Sequence, residues 1–150
     1  MTEQVRISSA HGSSWIEFGV PNVKGEVTYF EVTARFGVFS GANKVSADPY
    51  DSPAYLFEAA AEDWTGYKFW NSDGGELSLR LSKDSVGHCG LEVRLHEGPL
   101  LDVELKGGLL LELGSLDTIA GQLRRLFAGT PAGAPRETLM NFGPIEISQS

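Results

Sequence analysis

Cysteine is nearly missing from this chain of 150 residues. Cys89 stands alone, so no internal disulfide can form, and a reducing, cytoplasmic setting is the expectation. Long hydrophobic runs are missing as well. Apolar stretches last only a few residues, far short of the ~20 needed to cross a bilayer as a helix. The opening MTEQVRISSAHG has neither a basic leader nor an apolar core, so no secretory signal is expected. Bases are in short supply, with 12 Lys and Arg against 20 Asp and Glu, a net charge of -8.

That deficit is local. Residues 51–105 hold 11 acids against 4 bases, whereas 1–50 hold 5 against 4 and 106–150 hold 4 against 4. An acidic field of this kind repels nucleic-acid phosphates and anionic membrane surfaces and attracts a cationic protein. The expected partner is therefore a basic protein, with no nucleic acid and no membrane.

Recognisable catalytic signatures are also lacking. There is no GxSxG elbow, no GxGxxG, no GxxxxGK[ST], no HExxH and no paired CxxC. Of the three histidines, His11 lies in a turn, and His88 and His96 are eight residues apart on one strand. At strand rise that separation is ~26 Å, too far to share an ion. No metal, cofactor or catalytic residue is expected. Cys89 alternates with inward leucines while His88 points the other way, which argues against a Cys–His pair.

What the chain does have is alternation. Val5 and Ile7 mark a first short strand; Ile16, Phe18 and Val20 mark a second, closed into a hairpin by the turn residues PNVKG. Residues 26–36 place Phe30, Val32, Ala34 and Phe36 on one face of a long central strand. Residues 37–53 lose the period and gather Gly, Asn, Asp and Pro, which reads as a loop with a short strand at most near Val38 and Phe39.

Ser52 and Pro53 suit the start of a helix whose stripe is Leu56, Ala60 and Trp64, with Gly66 to end it. From 67 to 113 the pattern is a meander of five half-buried strands. Its inward sets are Leu77, Leu79 and Leu81, then Cys89, Leu91, Val93 and Leu95, then Leu101, Val103 and Leu105, and after a KGG turn Leu109, Leu111 and Leu113. Ser115 opens a second helix with Leu116, Ile119, Leu123 and Leu126 inward and Arg124 and Arg125 in its last turn. The expected fold is α+β: a curved antiparallel sheet of about seven or eight strands with two helices packed on one face. This domain spans residues 1–129, followed by a linker and tail over 130–150 in which Ile145 and Ile147 form an edge strand or a disordered tail.

Carboxylates at Asp63, Asp73, Asp84, Glu92, Asp102 and Glu104 could pair for acid–base chemistry. Cross-strand ion pairing of Glu92 and Glu104 with Arg80 and Arg94 is the simpler account. In the strand after Gly66, inward Phe69 leaves Lys68 and Trp70 outward. An exposed Trp70 beside acids has the character of a protein-binding hot spot, and the alternative is a tryptophan that covers an edge of the core. The candidate partner-binding set is Trp70, Asp73, Asp84, Glu92, Arg94, His96, Asp102 and Glu104.

The segments DWTGYKFWNSDGGELSL, DSVGHCGLEVRL and LLLELGSLDTIAGQLRRLF together resemble a family of small bacterial proteins of unknown function. Trp64, Gly66, Trp70, Gly87 and His88 carry the resemblance over residues 51–128, and Tyr67 and Cys89 depart from it. The resemblance implies one α+β domain and no activity. On the residues themselves the leading expectation is a non-enzymatic binding or inhibitory protein, of the immunity type that masks a basic toxin or nuclease. The alternative is a small-molecule site between sheet and first helix, lined by Phe30, Trp64 and Phe69. A homodimer through an exposed strand edge or the 137–150 tail is the third.

Overall fold

The computed structural model describes residues 4–48, 50–62, 64, 66–84, 86–97 and 103–130. The fold is α+β, with nine antiparallel strands in two sheets and two helices among the described residues. The strands form sheets of five and four rather than one continuous surface.

The first sheet is built on β4 (Val27–Phe36), the central strand expected from its alternation. On one edge it pairs with β2 (Trp15–Phe18) and then with β3 (Asn22–Lys24), and β1 (Val5–Ser8) lies outside β2. The turn expected at PNVKG therefore contains a short strand. Trp15 faces Arg35 in the β2 register, whereas Asn22 faces Tyr29 in the β3 register, a slip of one residue across Gly19–Pro21. Pro21 lacks the N–H that an unbroken strand would have needed there.

The other edge of β4 takes β5 (Phe39–Ala47), nine residues long where a loop was expected. Only Val45 and Ala47 of β5 are buried, and Gly41 and Asn43 occupy the positions that would have shown the period. Pairing with β4 makes this a strand where side-chain pattern does not. The connection is the two-residue turn Gly37–Val38, with Gly37 at φ 65°.

Helix α1 (Ala54–Ala60) begins where Ser52 Oγ accepts the Ala54 N–H at 3.0 Å. It is shorter than its apolar stripe. Trp64 lies past its end, buried, and donates its indole N–H to the Ala60 carbonyl at 2.6 Å. That bond satisfies one of the carbonyls a helix end leaves free. Gly66 then turns the chain at φ 80°.

The second sheet has the order β6 (Tyr67–Asn71), β7 (Leu77–Lys83), β8 (His88–Glu97), β9 (Val103–Glu112). Strand β9 is continuous through Gly107 and Gly108, so the meander has four strands and the expected KGG turn does not form. Gly107 faces Val93 in register and meets Phe36 of the first sheet, which leaves no room for a side chain. Glycine here serves close approach rather than a turn. After a 3-10 turn, α2 (Leu116–Leu126) buries the expected Leu116, Ile119, Leu123 and Leu126 together with Ala120.

One cluster of buried side chains draws on both sheets and both helices. Phe30 is its hub, edge-on to Phe127 at 5.2 Å and 6.3–6.4 Å from Phe18 and Trp70. Each such ring, fully buried, stabilises the fold by about 1.5–3 kcal/mol relative to exposure. Helix α1 packs on α2, and Glu58 and Arg124 form an ion pair between them. The leucines inside the second sheet leave its opposite face to solvent.

A surface of aromatics and paired charges on the second sheet

The outer face of β6–β9 follows from alternation. With Leu77, Leu79 and Leu81 inward, Ser78, Arg80 and Ser82 face out; with Cys89, Leu91, Val93 and Leu95 inward, His88, Gly90, Glu92, Arg94 and His96 face out. Strand β6 is the exception to expectation. Trp70 is buried and Phe69 is 61% exposed, the reverse of the face assignment read from β6 alone. Cross-strand register sets the orientation: Trp70 pairs with the inward Leu79, and Phe69 with the outward Arg80. The Trp70 indole N–H donates to Asp51 Oδ1 at 3.0 Å, which gives its polar edge a partner inside the fold.

Tyr67 and Phe69 consequently stand side by side on the outer face, 57% and 61% exposed, with ring centroids 6.2 Å apart. The Arg80 guanidinium lies 4.6 Å over the Tyr67 ring and also reaches Glu92 at 3.2 Å. Glu92 is shared: Lys106 approaches its other oxygen at 3.2 Å. Partial burial pushes the Glu92 carboxyl up, but Lys106, Arg80 and Arg94 together outweigh that and hold it below its ordinary value. Arg94 extends the ladder to Glu104 at 3.7 Å. Between these long side chains, Ser78, Ser82, Gly90 and Gly108 are small and leave two adjoining shallow clefts of about 320 and 410 Å³, which share Arg80 and Glu92.

The remaining expected site residues are scattered. Asp73 is exposed at the β6–β7 turn, where its backbone N–H donates to Ser46 O. Asp84 caps the β7–β8 turn, accepting the backbone N–H of His88 at 3.0 Å and of Val86 at 2.9 Å. Those two bonds, with the His88 ring nearby, keep its carboxyl below the usual range. His88 lies between Asp84 at Nδ1, 3.6 Å, and Glu112 at Nε2, 3.8 Å, so the two acids meet opposite sides of the ring. His96 is half-buried at the far end of β8, opposite Glu104. Asp63, Asp102 and the 137–150 tail lie outside the described residues. The structure thus joins Glu92, Arg94 and Glu104 in one ladder, removes Trp70 to the core, and adds Tyr67, Phe69, Arg80 and Lys106.

The small-molecule lining expected from Phe30, Trp64 and Phe69 does not assemble. Phe30 and Trp64 are core residues, while Phe69 points away from them across the sheet. A larger cleft of about 520 Å³ lies between β1 and α2, lined by Gln4, Arg6, Gln122 and Arg125 among others. Arg6 there is engaged by Glu17 at 2.7 Å and stacks on Trp15 at 3.8 Å. Cys89 is buried, and desolvation pushes its thiol up to about 11. Among the described residues no group of three or more His, Cys, Asp or Glu could hold a metal ion, and no helix is long and apolar enough to cross a membrane.

The model of a family of unknown function (DUF6228) matches residues 7–130, and the chain belongs to that family. No curated protein matches it. A solved structure of the plant transcriptional regulator PBF-2 is similar over 85% of this chain and 81% of that chain, at 10% identity and a TM-score of 0.46.

Proposed function

We propose that this chain is a protein-binding domain whose contact surface is the outer face of the second sheet, with Tyr67 and Phe69 as anchors and Arg80 as the polar group between them and the charged ladder. The carrying observation is the exposed Tyr67–Phe69 pair itself, two adjacent rings more than half open to solvent beside an arginine. Aromatic and arginine side chains are the types that dominate binding energy at protein interfaces, and small residues beside them supply the recesses a partner fills.

Acidity takes a different part from the one the composition suggests. Glu92 and Glu104 are neutralised by Arg80, Lys106 and Arg94, so this face is not an acidic patch. The net charge of -8 acts at longer range, raising the encounter rate with a basic partner, while the rings supply the contact. Inhibition of a basic toxin or nuclease is the narrower form of this reading.

The test is affinity capture from an extract of the source cells, followed by kinetics on the captured protein. Wild-type bait is expected to retain a basic protein whose association rate falls as salt rises from about 50 to 500 mM, as screening shortens the Debye length. Tyr67→Ser/Phe69→Ser bait is expected to lose it. A captured set identical for the two baits sinks the reading.

A further inference from the structure

Strand β6 exposes its backbone as well as its rings. Ser72 N–H donates to Leu77 O at 2.9 Å, and this pair fixes the phase of the β6–β7 ladder. Counting back by two, Trp70 and Lys68 direct their backbone groups toward β7, and Asn71, Phe69 and Tyr67 direct theirs away from the sheet. Among the described residues nothing bonds to those three.

The other edges are managed differently. At β9, Leu110 exchanges bonds with Ser9 Oγ and the Ala10 N–H, and Glu104 and Lys106 charge the rest. At β5, Ser46 O accepts the Asp73 N–H and Lys44 stands beside it. Strand β1 lies against α2, and β3 is three residues long with Lys24 at its end. Covering, charging and shortening are how proteins stop edges from pairing. The β6 edge is neither covered nor as short as β3 among the described residues, and its one charge, Lys68, is an inward-pointing one held 5.8 Å from the Trp64 ring.

We propose that β6 pairs antiparallel with β6 of a second copy, about a two-fold axis at Phe69. Composition selects this occupant. On such an axis the central residue meets itself, and a charge there would meet its like. Here the centre is Phe69, and Tyr67 faces Asn71 of the second copy, so no like charges oppose on the outer face. Phe69 and its symmetry mate exchange two backbone hydrogen bonds, as do both Tyr67–Asn71 pairs. Four strands from each copy give a continuous sheet of eight, within the range of ~2–10 found in globular proteins. Because side chains stand perpendicular to the sheet, both Tyr67–Phe69 pairs stay on the outer face. The dimer is independent of the binding reading and would present that surface twice.

Sedimentation equilibrium at 10–100 µM (about the range in which a weak dimer is visible by mass action) tests the pairing. The full chain is expected to show the mass of two copies. Phe69→Lys and Phe69→Glu should each be monomeric while keeping the wild-type circular dichroism spectrum, and an equimolar mixture of the two should recover the dimer mass. Phe69→Pro removes an outward N–H without touching the β7 ladder, so it should also be a folded monomer. A monomeric wild type, which leaves the edge to a strand from some other protein, overturns the proposal. So does a dimer that survives all three substitutions.

Discussion

Gly107 of β9 lies against Phe36 of β4, so close that a Cβ at position 107 would overlap the ring. This contact joins the two sheets at a point where neither helix intervenes. It also explains why a glycine sits at position 107 inside a ten-residue strand. Gly107→Ala is expected to cost about 1–3 kcal/mol, the usual range for overpacking. Phe36 is only partly buried and can yield somewhat. Urea denaturation of Gly107→Ala, Phe36→Ala and the double variant checks this: the double should cost less than the sum, and strict additivity would mean the ring is not the obstacle.

The two neighbours on β6 should behave oppositely. Trp70→Ala removes a buried indole and its bond to Asp51, and should lose about 3–5 kcal/mol. Phe69→Ala should shift the stability of the monomer, measured well below the dimerising concentration, by no more than about 0.5 kcal/mol, as expected of a surface site. Melting curves of both variants decide between this orientation and its inverse, in which Phe69→Ala would be the damaging change.

That orientation shows where sequence reasoning ran short. The α+β class, the central β4 and the buried stripe of α2 were readable because each rests on a repeating period. The β6 strand is five residues of mostly aromatic character, so either face could be inward on its own pattern. The missing signal was one turn away: with Leu79 inward and the chain reversing between Ser72 and Leu77, Trp70 must share Leu79's face. Strand β5 stayed hidden for another reason, since Gly41, Asn43 and several exposed residues leave backbone pairing as its main support. The charged ladder of Glu92 and Glu104 with Arg80 and Arg94 was readable from alternation. Lys106 as a second partner of Glu92 was not, because β9 had been divided at its glycines.

Cys89 should be silent toward thiol reagents in the native state. Its side chain is fully buried, and its thiol is pushed up to about 11, so at pH 8 almost no thiolate is present. Reaction with an aromatic disulfide is expected to wait for unfolding and to follow the unfolding rate. Fast native labelling at pH 8 would show that β8 does not hold this residue inward.

Acid should weaken the β7–β8 turn through Asp84. The backbone N–H groups of His88 and Val86 bond its carboxylate and depress its folded-state pKa. The contribution is therefore fully present above the unfolded value, near 3.8, and is lost as pH falls through the depressed folded value. Asp84 is solvent-exposed, so the effect is small. Denaturant midpoints taken from about pH 6 down to pH 2 should fall more steeply for wild type than for Asp84→Asn, whose amide takes up no proton in that range. Parallel curves would assign acid sensitivity to other carboxylates.

The binding face is decided by affinity capture with three baits compared in one experiment. One is wild type, one is Tyr67→Ser/Phe69→Ser, and one is Val38→Ser/Phe39→Ser, which removes another exposed apolar pair, at the tip of the β4–β5 hairpin, 83% and 68% exposed. Wild type and the hairpin variant should retain the same protein, and the β6 variant should lose it by more than tenfold, about 1.4 kcal/mol or more. Equal retention by all three baits, or loss only with the hairpin variant, would contradict a binding surface built on Tyr67 and Phe69.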